Sequence, residues 1–273
     1  MRNRKPQKKV LVDIALLTCG LVDVSLFDKC VAAIKKEMET LECQFHVILN
    51  GLSSDTRRPF EKIASSVEGA KIHYSGQRLG FSDGANRVIR KGTSPLVLFI
   101  TDDIVLHEGT LEKLVHRTDD PEIGLCGLKL IFPKDSVDPN RPAGRVQHIG
   151  HAIDTRGEIT HPLIGWSPEN PKCNVSREVQ SVTGGVFMVR RNLFLRVGGF
   201  FLGYGIGYYE DVDLCFNIRR LGAKVFIDTS CTADHATNAS FMKTGHPIPM
   251  EANKMIFRNR WGSVMQNDSW SFW

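Results

Sequence analysis

Between residues 10 and 132 the chain alternates short apolar runs with amphipathic stretches, and few folds accept that alternation. VLVDIALLTC (10–19), QFHVILN (44–50), KIHYS (71–75), PLVLFIT (95–101) and IGLCGLKLIF (123–132) read as strands. SLFDKCVAAIKKEMETL (25–41), RRPFEKIASSV (57–67), FSDGANRVIRKG (81–92) and GTLEKLVHRTDD (109–120) read as helices. In the first of these, Leu26, Cys30, Ala33, Ile34 and Met38 recur at helical spacing. The pattern predicts an α/β fold, with a mostly parallel sheet and helices on both faces. Such sheets bind ligands beyond the carboxyl ends of their strands. Thr18, Asn50, Asp102 and Asp103 all fall at predicted strand ends and are expected to line one crevice.

After Phe132 the rhythm changes. Residues 133–180 are rich in Pro, Gly and Asn, with RVQHIGHAID (145–154) reading as a short strand. A glycine-bearing run, VTGGVFMVRR (182–191), leads through a Gly- and Tyr-rich link to YYEDVDL (208–214). A helix is expected over 212–222 and a strand over 224–228, with His235 soon after and an amphipathic segment at 250–262.

The chain has 273 residues, of which 42% are hydrophobic and 24% charged, the balance of a soluble globular protein. No apolar run reaches the length of a membrane span. The basic start MRNRKPQKK lacks the pattern of a signal peptide, so a cytoplasmic protein is expected. The net charge of +5 comes largely from that segment. It reads as a solvated tail; the alternative is an arm that touches anionic membrane or nucleic acid. Without it the charge is near neutral, so a nucleic-acid-binding stripe is not expected. The seven scattered cysteines form no C-x-x-C pair and imply neither a zinc site nor a disulfide framework. His148 and His151 stand at i and i+3; on a continuous strand they would point to opposite faces, so no metal site is expected of them either.

Two carboxylate clusters remain: Asp102–Asp103 after a buried strand, and Glu210, Asp211 and Asp213 at a helix start. A cation at one and a base at the other would suit chemistry on a phosphorylated substrate. Several segments, in order, resemble the family 2 glycosyltransferases, whose fold is GT-A. QRLGFSDGANRVI (77–89) looks like the family's N-x-G-F segment, and LFITDDIVLHEGTLEKLV (98–115) like its D-x-D strand end and following helix. REVQSVTGGVFMVRR (177–191) resembles the middle region of bacterial members, and YYEDVDLCFNIRRLGAKV (208–225) the E-D-x-D-L motif. MIFRNRWG (255–262) is similar to the tail helix of the rhamnosyltransferase-like branch.

The resemblance implies a single GT-A domain: a basic tail at 1–9, a nucleotide-sugar-binding half at 10–132, an acceptor-binding and catalytic half at 133–240 and a helical tail at 241–273. It implies an inverting, metal-dependent transfer of a sugar from a nucleotide-sugar to a hydroxyl of a glycan or glycolipid. Asp103 and His235 would hold Mn²⁺ or Mg²⁺; hard oxygen ligands with a diphosphate suit either ion. Asp211 matches the catalytic base, with Glu210 the runner-up or a group that binds acceptor hydroxyls. Asp213 is expected to support the helix start. Thr18, Asn50, Arg78, Asp83, Asp102, Gly184 and Gly185 fall where the family contacts its donor. Thr101 stands at the first D-x-D position, and Asn50 where many members carry Asp. Trp166 and Tyr204 are either acceptor-stacking or packing residues. Two further readings stay open: a glycosyltransferase acting on nucleic acid or protein, suggested by the basic tail, and a non-catalytic sugar-nucleotide or glycan binder, suggested by Thr101 and Asn50.

Overall fold

The computed structural model describes residues 11–236 and 249–272, so the basic tail and part of the region after 240 lie outside it. The described residues form twelve strands: β1 Val12–Thr18, β2 Cys43–Asn50, β3 Lys71–Ser75, β4 Leu96–Thr101, β5 Ile104–Leu106, β6 Ile123–Ile131, β7 Val146–His148, β8 Ala152–Ile153, β9 Ile159–Thr160, β10 Arg177–Glu178, β11 Val186–Arg190 and β12 Lys224–His235. Seven α-helices accompany them: α1 Val24–Glu37, α2 Ser54–Ala64, α3 Phe81–Ile89, α4 Thr110–Arg117, α5 Arg191–Arg196, α6 Glu210–Arg220 and α7 Met250–Trp261.

The main sheet runs in the order β10-β12-β6-β11-β4-β1-β2-β3, with β5 beside β12 and β7 beside β6. One sheet therefore spans both halves of the chain. Strand β1 is buried at every position, as a strand covered on both faces must be. One core layer holds Phe27 and Ile34 of α1, Phe60 of α2 and Leu111 and Leu114 of α4 against one face of the sheet. The other holds Val88 of α3, Phe194 of α5 and Leu214 and Ile218 of α6. A third cluster joins Phe257 and Trp261 of α7 to Val212 and Phe216 of α6.

The parallel β1, β2 and β4 end level with one another: Thr18 pairs with Leu49, and Leu17 with Thr101. The crevice expected from the sequence forms at these ends. Strand β11 runs antiparallel between β4 and β6, where the apolar run VFMVR gave no separate strand signal. The strand expected over 224–228 continues through a bulge to His235 and pairs with β5, placing His235 opposite Ile104. The strand expected over 145–154 is broken: β7 stops at His148 and β8 begins at Ala152, with Gly150 between them at φ +97. That conformation favours glycine and turns the chain.

Candidate functional site

A cleft of about 790 Å³ opens at the carboxyl ends of β1, β2 and β4, a volume ordinary for a small-molecule site. Thr18, Asn50, Arg78, Asp102, Asp103, Gly184, Gly185, Glu210, Asp211 and His235 all line it. Asp83 does not. It sits in the first turn of α3, where Arg87 one turn later holds its carboxylate at 2.9 and 3.0 Å. Asp83 is therefore the one expected donor residue that the structure does not bring to the cleft wall.

Strand pairing builds the first half of the site. His235 lies opposite Ile104, and the Ala236 amide donates to the Asp103 carbonyl at 3.0 Å. This brings His235 Nε2 to 3.5 Å from Asp103 Oδ2. His235 Nδ1 lies 2.6 Å from Gln147 Oε1, an acceptor, so Nδ1 carries a proton and Nε2 is turned toward Asp103. The Thr101 hydroxyl donates to Asp103 Oδ1 at 2.8 Å. Burial opposes ionisation of Asp103, but His235 and the Thr101 hydroxyl hold its carboxyl below the usual range. Threonine at the first D-x-D position therefore orients the acid beside it. An imidazole nitrogen and a carboxylate oxygen, both fixed from behind, are a donor set that fits a divalent cation.

The second half is the start of α6. Asp211 Oδ2 accepts from the Gly184 amide at 2.6 Å, and Oδ1 from the Val212 amide at 2.8 Å. A Cβ on Gly184 would come within 3.0 Å of Asp211 Cβ, and one on Gly185 within 3.3 Å of the His235 ring. Glycine suits both positions because the backbone passes closely between the base candidate and the cation candidate. Its expected approach to a donor sugar is thus joined by a packing role. Tyr208 and Tyr209, just before Glu210, both have φ near +75, a conformation costly for a side chain of that size. No sequence signal marks these two positions beyond the glycines around them.

Glu210 and Asp211 differ in their surroundings. Burial raises both carboxyls, and for Glu210 the Asp211 charge adds to it, pushing it up to about 8. The two amides on Asp211 favour its charged form, whereas Glu210 Oε2 has no hydrogen-bond partner among the described residues. Of the two, Glu210 holds its proton the more firmly, and Asp211 is the one its surroundings favour as carboxylate. A folded-state value above the unfolded one gives a contribution to stability fully present below about 4.5 and lost as pH rises through about 8. Glu210→Gln should therefore flatten the fall in melting temperature across that window. An unchanged pH profile in the variant would refute the assignment.

Asn50 is buried with both ends of its amide engaged: Nδ2 donates to the Leu79 carbonyl at 2.8 Å and Oδ1 accepts from the Leu79 amide at 2.7 Å. A carboxylate could not make the first bond. Asparagine here pins the segment that carries Arg78 to the rim. Thr18 Oγ1 accepts from the Gly20 amide at 3.1 Å, shaping the turn after β1. Tyr204 is buried and its hydroxyl donates to Asp213, so it packs rather than stacks on an acceptor. Trp166 lines a smaller adjoining cavity and packs against the core.

Residues 25–198, more than half of the chain, match the family described as glycosyl transferase family 2. The chain belongs to that family. It is 29% identical over 163 residues to the O-antigen biosynthesis protein RfbC of Myxococcus xanthus, covering 57% of this chain. It spans 19% and 12% of the lengths of two curated relatives. Among solved structures, GalNAc-T7 with UDP, GalNAc and Mn²⁺ superposes with a TM-score of 0.64 at 14% identity, covering 84% of this chain and 44% of that one. S. aureus TarS 1–349 in complex with UDP-GlcNAc gives 0.62 at 15% identity, covering 95% and 68%. The fold of this family 2 chain is the GT-A fold.

Sequence reasoning missed Gln147, which orients His235, and the orienting role of Thr101. Gln147 has no local signal because it acts on a residue far away in the chain; Thr101 acts on Asp103 two residues on, but only the fold turns its hydroxyl onto that carboxylate.

Proposed function

We propose that the chain is an inverting glycosyltransferase that moves a sugar from a nucleotide-sugar to a hydroxyl of a glycan or glycolipid acceptor. The observation that carries this reading is the shared cleft, in which Asp103–His235 and Asp211 stand on either side of Gly184–Gly185. The family match and the nucleotide-sugar named in the TarS complex support it. Asp211 takes the proton of the acceptor hydroxyl as that oxygen attacks the anomeric carbon, and Glu210, carrying its proton, is placed to hold a neighbouring hydroxyl. Arg78, exposed at the rim, is placed to meet the diphosphate. Thr18 and Asn50 shape the wall for the nucleoside, and Asp102 lies beside Asp103 for the ribose or the cation. A divalent cation, Mn²⁺ or Mg²⁺, held by Asp103 and His235 would neutralise the charge growing on the leaving diphosphate. Mn²⁺ is favoured, since the GalNAc-T7 complex contains it.

No helix among the described residues is long and apolar enough to cross a membrane. A cytoplasmic location, with the basic tail meeting a membrane surface, accords with a glycolipid acceptor. The non-catalytic reading loses its two supports: Thr101 orients Asp103, and Asn50 pins Leu79.

A thermal-shift panel of nucleoside diphosphates and nucleotide-sugars, each with and without Mn²⁺, tests the proposal. One nucleotide should raise the melting temperature in a Mn²⁺-dependent way, and Asp103→Ala should remove that dependence. No shift with any nucleotide would sink it.

A further inference from the structure

The hairpin that follows the broken strand gathers three histidines. Strands β8 and β9 pair with Ala152 opposite Thr160, so the register sets His151 across from His161. The turn at Gly150 swings His148 onto the same side. One ring nitrogen from each of His148, His151 and His161 lies within 4.8 Å of the other two. The three rings meet edge to face with centroids 4.8 to 5.0 Å apart. The opposite-face rule failed here because it holds only along an unbroken strand.

We propose that His148, His151 and His161 form a second metal site, for a zinc-class ion, distinct from Asp103 and His235. It goes beyond the transferase reading and does not depend on it. Three nitrogen donors suit Zn²⁺ and its neighbours, and three protein ligands with one open position are the pattern of a zinc that keeps a water or substrate oxygen. His151 and His161 line the cleft, and His161 is exposed, so the open position faces the space where an acceptor would lie.

The surroundings favour neutral rings, the form that binds metal. Burial holds His148 and His151 well below the usual imidazole range. His151 Nδ1 faces Ser181 Oγ at 3.0 Å; with its proton there, Nε2 offers a lone pair. The Thr183 amide donates to His148 Nε2 at 3.2 Å, which places that ring's proton on Nδ1, shared with His161 Nδ1 at 3.0 Å. Ligation at His148 Nδ1 moves this proton to Nε2 and gives up the long Thr183 contact. The other two rings need no change of proton. Nitrogens about 2.0–2.1 Å from a tetrahedral zinc are roughly 3.3–3.4 Å apart. The His148–His161 pair is already that close, and a small inward movement of the His151 ring would complete the set.

The test uses the purified full chain, stripped with a chelator, dialysed against limiting Zn²⁺ and assayed for bound metal. The Asp103→Ala chain serves as background, so that the other cation site does not contribute. It should retain about one zinc per chain, and adding His161→Ala should weaken binding at least 100-fold. Replacing Zn²⁺ by Co²⁺ should give the visible bands of a tetrahedral nitrogen site without thiolate charge-transfer absorption, which separates the histidines from the free cysteines. Should the Asp103→Ala chain not fold, the same comparison is made between the native chain and His161→Ala, a residue outside the apolar core clusters. Zinc binding unaffected by His161→Ala, thiolate absorption with Co²⁺, or no bound zinc in a folded chain would each overturn the proposal.

Discussion

Asp211→Asn should lower kcat/KM by about 10²–10⁴-fold, the usual worth of a positioned general base, while donor binding persists. The variant removes the proton acceptor and little else, because the side chain keeps its volume. Its geometry is not wholly neutral. Both carboxylate oxygens accept backbone amides, from Gly184 and Val212, and an asparagine can satisfy only one of them through its oxygen. The loss should be about 1 kcal/mol of stability, too little to unfold the chain. A nucleotide-induced thermal shift equal to that of the native chain, alongside lost transfer, would place the defect in the chemical step. Near-normal transfer would show that Asp211 is not the base and direct attention to Glu210.

The largest effect on stability is expected at Asp213, two residues on. It is wholly buried and gathers donors from three elements. Oδ1 accepts from Arg260 Nε at 2.6 Å, Trp261 Nε1 at 2.6 Å and the Tyr204 hydroxyl at 3.1 Å, and Oδ2 from Asn217 Nδ2 at 2.8 Å. Its role is wider than support of the helix start: it ties α7 to α6. Asp213→Ala would leave these donors facing a cavity, at a cost on the order of 3–5 kcal/mol. Arg260 is a third exposed and can turn to water, so most of that loss comes from Trp261 and Tyr204. At roughly 2–4 °C per kcal/mol, the melting temperature should fall on the order of 10 °C. Hydrogen exchange should show α7 losing protection before the central strands. Asp213→Asn, which keeps an acceptor for Trp261, should cost less. A drop of only a degree or two in the alanine variant would refute the hub.

The two expectations differ in kind although the residues stand in one helical turn. Asp211 faces the cleft and Asp213 faces the protein, a separation set by the helical repeat. The resemblance already set Asp211 apart as the base and Asp213 as support for the helix start; packing against α7 adds the tie between two helices that no local pattern shows.

The strand–helix alternation by itself determined the parallel core of β1, β2 and β4 and the crevice at its end, because burial on both faces leaves a readable apolar run and helices a readable period. Which residues could do the chemistry came from the resemblance to family 2 glycosyltransferases, whose acids and glycines stand in short local motifs, with His235 placed only by its position after a strand. The tertiary structure alone decided how those motifs meet. A bulge carries β12 on to His235 and brings it beside Asp103. The antiparallel insertion of β11 sets Gly184–Gly185 between the two halves of the site. Gly150 folds three histidines together, where the period-two rule would separate them. Each of these depends on strand register between segments distant in the chain, and register is fixed by the whole packed sheet rather than by any one segment.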